Sequence, residues 1–257
     1  MSSLSRASIA LPLLLCLPLL VCRSADDGSV RAPDVSLRYD SADFTGHEVK
    51  REPKLTKKEN DGVPVDVAPL RTTIVLHSRL SRANQATIET VPLHDTGVPN
   101  FAKAYPEVAQ YAAKLKSALQ NPRRLDSKLI EASDRHCIDG EHSLHTRFEF
   151  VDGPAISGFV FLAQYTQEQH PDPANNEQLV YVFLGLAKDG SHYVEAEFPV
   201  SHPSLPRNVD AVAAITRDNA GEYLRKAEKQ LAAWDEGTFQ PSLTHLKTLV
   251  RSIEFPR

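Results

Sequence analysis

The chain has 257 residues, 33 acidic and 29 basic side chains, a formal charge of −4 and 41% hydrophobic residues. Its one basic stretch, Lys50 to Lys58, is interleaved with acids, which excludes nucleic acid as a partner, since affinity for phosphates depends on clustered Lys and Arg. Cys16 and Cys22 lie near the start and leave only Cys137 beyond them, so no disulfide framework is expected and buried apolar surface must hold the fold together.

The first element is a leader. Ile9 to Cys22 (IALPLLLCLPLLVC) is apolar, is broken by Pro12 and Pro18, and is followed by Arg23, Ser24 and the acidic Asp26-Asp27. Its 14 residues fall short of the roughly 20 that a helix needs to cross a hydrocarbon core. A secretory signal peptide over residues 1–24 is therefore expected rather than an uncleaved anchor, with Cys22 and Ser24, both small, at the two positions signal peptidase reads. Leu19-Leu20-Val21-Cys22 also resembles a lipobox, which would place a lipid on Cys22, although Val21 stands where Gly, Ala or Ser is usual. The mature chain, 25–257, is expected outside the cytoplasm, periplasmic or extracellular, with no transmembrane span and either soluble or anchored through Cys22.

That mature chain reads as a single α+β domain. Val35 to Tyr39 and Phe44 to Val49 are expected strands. Residues 51–69 are charged, hold three prolines and Asp61-Gly62, and lack a period, which predicts a mobile surface loop. Arg71 to Leu80 and Ala86 to Leu93, rich in Thr, Ile and Val, are the next strands. Pro106 suits a first helical turn, where its missing N–H loses no bond. Val108, Tyr111, Ala112, Leu115, Ala118 and Leu119 then form one apolar stripe, ended by Asn121-Pro122.

Phe148 to Pro206 holds the centre of the expected antiparallel sheet. Leu179, Tyr181 and Phe183 alternate with Val180, Val182, Leu184 and Leu186, so this strand is apolar on both faces and belongs inside the sheet. In the next strand Val194, Ala196, Phe198 and Val200 share a face against Tyr193, Glu195 and Glu197, which predicts one face near water. Asp189-Gly190 between them supplies the positive backbone angles of a tight hairpin turn. Asp218 is the expected cap of a helix from about Asn219 to Trp234, with Tyr223, Leu224, Ala227, Leu231 and Trp234 inward. Ser242 is the expected cap of another, with Leu243, Leu246, Leu249, Val250 and Ile253 inward.

Gly158 to Gln167 (GFVFLAQYTQ) and Asn175 to Pro206 (NNEQLVYVFLGLAKDGSHYVEAEFPVSHPSLP) together resemble an uncharacterised family of bacterial exported proteins and lipoproteins. VSLRYD near the start, the PEVAQYAAKLKSAL helix and the closing EYLRKAEKQL and PSLTHLKTLVRSI pair agree with it. The chain departs from the pattern at Lys50 to Lys58 and at His136 to His145. The resemblance implies no reaction and no catalytic residues. The element order is also similar to the photosystem II extrinsic P-type sandwich, a single antiparallel sheet flanked by helices, which implies architecture alone.

Candidate chemistry lies in two places. His136, Cys137, Asp139, Glu141, His142 and His145 are ligand types for zinc. The Asp139-Gly140 turn divides them, and strand alternation would send His142 and His145 to opposite faces, so no metal is expected there. Gln164, Tyr165, Asn175, Asn176, Tyr181 and Tyr193 combine amides with aromatic rings near strand ends, the chemistry of a carbohydrate or peptide surface. They are the candidate ligand-binding residues. Gly-x-Ser-x-Gly, His-Glu-x-x-His and phosphate-cradling glycine loops are absent from the sequence, and the other single histidines, among them His94, His192, His202 and His245, read as surface or turn residues. Neither catalytic residues nor a cofactor are assigned. The expected function is a non-enzymatic binding or accessory module of the cell envelope, acting on an envelope protein or a small ligand. The alternative is a secreted hydrolase or metal-dependent enzyme.

Overall fold

A computed structural model describes residues 28–54, 69–79, 85–94, 100–123, 128, 141–166, 172–209 and 220–256. Residues 1–27, Cys22 among them, and Leu80, Cys137, Asp218 and most of the charged 51–69 segment lie outside them. The described chain is α+β and antiparallel throughout. β1 (Ser29–Arg31) and β2 (Ser36–Arg38) form a two-stranded ribbon. β3 (Phe44–Glu52), β4 (Arg71–Ser78), β5 (Ala86–Pro92), β6 (Glu141–Asp152), β7 (Ile156–Thr166), β8 (Val180–Ala187) and β9 (His192–Pro199) form a seven-stranded sheet in the order β3-β4-β5-β9-β8-β7-β6. The expected single sheet thus has a ribbon beside it. Arg51 and Glu52, read from sequence as loop, extend β3, where Arg71 of β4 bonds the Glu52 carboxylate across the strands.

The doubly apolar strand sits where its pattern requires. β8 runs between β7 and β9. Leu179, Tyr181 and Phe183 join a first-face core with Val194, Ala196 and Phe198 of β9. Val182, Leu184 and Leu186 join a second-face core with Phe159, Phe161 and Tyr193. Full burial of each large apolar side chain contributes roughly 1.5–3 kcal/mol, and only cover on both faces lets one strand collect it twice.

Helices supply that cover. α1 (Phe101–Ala104), whose Asn100 cap accepts the Lys103 N–H, leads into α2 (Pro106–Leu119). Val108, Ala112, Leu115 and Ala118 of α2 are buried, and the last three lie in the second-face core over β7 and β8. The first face is covered by α3 (Ala220–Ala233) and α4 (Leu243–Arg251), through Ala227, Leu231, Leu243, Leu246, Leu249 and Val250, with Ile253 just beyond. Ser242 stands at the start of α4 as expected, but its hydroxyl reaches the Glu236 carbonyl and makes no cap bond.

Two sequence expectations about β9 are corrected. Its second face is buried at two of the three positions expected near water: Tyr193 is fully buried, Glu195 is 2% exposed, Glu197 is half-buried, and the Tyr193 hydroxyl donates to Glu195 Oε2 at 3.2 Å. In the β8–β9 turn only Gly190 has a positive φ, of 75°. Its N–H donates to the Ala187 carbonyl, while Asp189 Oδ1 accepts the Ser191 N–H, so the loop is longer than a two-residue hairpin.

α3 also closes the β6 edge of the sheet. The His145 N–H donates to Glu228 Oε1, which occupies a backbone donor that an open edge would offer to another chain, and Thr146 Oγ1 donates to the Glu228 carbonyl. Arg147 follows at a bulge with φ of 61°, a conformation few side chains adopt. It is held there by donating to the carbonyls of Leu231 and Trp234 at the end of α3 and to Glu236 Oε1. Lys247 of α4 donates to both Glu149 and Glu236. Burial alone would raise the Glu236 carboxyl, but the Lys247 bond and charge, the Thr244 hydroxyl and Arg147 outweigh it and hold the carboxyl below its usual range. The same burial, with Glu149 and Glu236 nearby, pushes the Tyr181 hydroxyl well above the usual tyrosine range.

Candidate functional site

The six sequence-predicted residues divide into three places. Gln164 and Asn175 come together, both fully buried: the Asn175 N–H donates to Gln164 Oε1, and Gln164 Nε2 donates to the carbonyls of Asp172 and Pro173, each at 3.3 Å. Asn175 Oδ1 accepts the N–H groups of Glu177 and Gln178, and its amide donates to Pro173 and Gln178. That is how a side-chain amide builds a turn. Asn176 lies next door but turns to another segment, donating to the carbonyls of His202 and Leu205 and accepting the His202 N–H at 2.7 Å. The tyrosines separate: Tyr181 belongs to the first face, Tyr193 and half-buried Tyr165 to the second. The amides make internal bonds, and Tyr181 lies on the opposite face of the sheet from Tyr165 and Tyr193.

Of the metal-type cluster, His136, Cys137 and Asp139 lie outside the described residues, as do the side chains of Glu141 and His142. The backbone of β6 corrects the alternation argument. His142 pairs with Tyr165 and His145 with Ala163, two positions apart on β7, because a bulge inserts a residue between His142 and Leu144. Counting parity from the sequence therefore fails across this segment. Among the described residues the grouping of metal-ligand types is Asp40, Asp43 and His245. There His245 Nδ1 meets Asp43 Oδ2 at 2.8 Å, an exposed contact that ties α4 to the turn before β3.

A groove forms where the β8–β9 turn passes the outer side of α2. It encloses about 560 Å³, within the roughly 300–1,000 Å³ of small-ligand sites. Leu93, Ala112, Leu119, Leu186 and Ala187 make its apolar wall, and His94, Lys116, Ser157, Lys188 and Asp189 stand around it. Lys188 is paired with Asp152 at 2.8 Å, and hydrogen bonds from the Ser191 side chain and N–H hold the Asp189 carboxyl below its usual range. Opposite charges at the rim of an apolar wall suit a ligand with an apolar body and polar ends. None of these residues was predicted as a site. The stripe of α2 and the Asp189-Gly190 turn were both legible, but nothing in the sequence says that one lies beside the other.

Just beyond this turn Ser191 Oγ lies 2.8 Å from His192 Nδ1, and the His192 ring stacks on Phe255 with centroids 4.6 Å apart. Burial holds this imidazole below its ordinary value. His202, also read from sequence as a surface residue, is 6% exposed. Compared with family models, curated proteins and solved structures, the chain matches none.

Proposed function

We propose that this protein is an exported, non-enzymatic binding or accessory module of the cell envelope, and that the groove between α2 and the β8–β9 turn is its ligand surface. The observation that carries the reading is the make-up of that groove, with Leu93, Leu119 and Leu186 as its wall and the Lys188–Asp152 pair and Asp189 at its rim. Export rests on the Ile9 to Cys22 run and its polar flank. The layering of helices on both faces of the sheet is in keeping with the photosystem II extrinsic P-type sandwich, a likeness of architecture that says nothing of ligand.

A secreted hydrolase is the second reading, resting on the nearness of Ser191 Oγ to the His192 ring; for His192 to act as its base the Ser191 hydroxyl would have to leave the Asp189 carboxylate to which it donates. A fluorophosphonate that modifies Ser191 would move it to first place.

The mature protein is expected to begin at or next to Ala25 and to stay in solution without detergent. N-terminal sequencing of the exported form checks both points. A start at Met1 contradicts export, and a lipid on Cys22 contradicts the soluble form.

A further inference from the structure

His202 follows β9 and is enclosed by three other segments. Its ring stacks on Trp234 at the end of α3, with centroids 3.8 Å apart and planes within 7°, and tilts against Phe239 at 5.0 Å. Both ring nitrogens are engaged. Nδ1 accepts the Ser204 N–H at 3.1 Å, so it carries no proton, and the proton must sit on Nε2, 2.9 Å from Thr238 Oγ1. The Thr238 hydroxyl donates onward to the Asp235 carbonyl at 2.6 Å. Every donor in this chain meets an acceptor only while the imidazole is neutral.

Among the described residues the neighbouring charges are committed elsewhere. Asp235 accepts the Gly237 N–H, Glu236 is held by Arg147, Lys247 and Thr244, and Arg147 lies over the ring of Phe239. From the 175–178 turn the neighbour is the Asn176 amide, which bonds the His202 backbone. Among the described residues neither ring nitrogen bonds a charged side chain, so a proton added to Nδ1 would face the Ser204 N–H in place of a carboxylate.

We propose that His202 is a proton-operated latch: one proton taken up at Nδ1 breaks the Ser204 bond and drives the ring out of its stack on Trp234, loosening the 202–206 segment from the end of α3. Burial holds the imidazole below its ordinary value, which is about 6.5. The neutral form is therefore the one favoured by folding. The stability it contributes is complete above the unfolded value and is lost as pH falls through the lower, folded one.

Trp234 is the single tryptophan of the chain, so its fluorescence reads the latch directly. Titrating the mature protein from pH 8 to pH 4.5 is expected to give a one-proton transition centred below about 6.5, with emission moving to longer wavelength and far-ultraviolet dichroism unchanged. His202→Gln, whose amide can accept from Ser204 and donate to Thr238 without titrating, should keep the neutral-pH spectrum and lose the transition. A flat trace for the unaltered protein, or the same transition in His202→Gln, overturns the proposal. Should His202→Gln not fold, imidazole nitrogen NMR of the unaltered protein decides: an Nε2–H tautomer titrating with the fluorescence supports the latch, and an Nδ1–H tautomer or a ring silent through the transition refutes it.

Discussion

Replacing Phe183 by alanine is expected to lower the free energy of unfolding by about 3–5 kcal/mol, a large part of the roughly 5–15 kcal/mol that holds a domain together. The ring is fully buried in the first-face core, on a strand with neighbours on both sides. It also has a seat of its own. Gly158 of β7 and Gly185 of β8 are register partners, and the ring of Phe183 lies over both, so that a Cβ built on Gly185 would come within 2.4 Å of it. Deleting the ring leaves a cavity over two residues that have no side chain to fill it. Urea denaturation at neutral pH checks this, and a loss under about 1 kcal/mol would mean that the ring does not occupy this seat.

The second large effect is expected at the seat itself. A Cβ on Gly158 would lie 2.2 Å from the Leu184 carbonyl oxygen and 2.6 Å from the Phe183 ring. Side chains can turn away, but a carbonyl in the middle of a sheet cannot move without its strand, so Gly158→Ala is expected to destabilise by about 3 kcal/mol or more. Gly185→Ala differs in kind, since its only neighbours under 3.0 Å are atoms of the Phe183 ring. In a Phe183→Ala background the penalty of Gly185→Ala should therefore largely vanish, while that of Gly158→Ala should persist. A double-mutant cycle measures the difference. Equal coupling of both glycines to Phe183 would contradict the geometry.

Much of this sheet is legible in the sequence. The period-two pattern of Leu179 to Leu186 placed β8 inside the sheet, and the stripes of α2 and α4 named the residues they bury, because alternation and helical period follow directly from backbone geometry. What alternation cannot tell is whether another layer lies on a face. Tyr193 and Glu195 looked like the wet side of β9 and are buried, the hydroxyl of one bonded to the carboxylate of the other. A bulge is equally silent, since it depends on the partner strand, and it undid the parity assigned to His142 and His145.

The candidate site was legible only as residue types. Gln164, Asn175 and Asn176 read as amides near strand ends and in the loop that follows, and each bonds carbonyls or N–H groups of its own chain. His202 gave no signal at all, because its burial is made by Trp234 and Thr238, more than thirty positions later. The groove is likewise a product of packing between distant elements. Its wall and rim come from the end of β5, from α2, from the start of β7 and from the β8–β9 turn.

The most direct test of the groove as a binding surface is site-specific photocrosslinking in intact cells. Ala113, exposed on the groove side of α2, would carry the photoreactive side chain, and Lys226, exposed on α3, would carry it as a control. The account predicts a discrete adduct in the envelope fraction from position 113 that position 226 does not give. No adduct from position 113, or the same adducts from both, together with fluorophosphonate labelling of Ser191, would contradict it and put the hydrolase in its place.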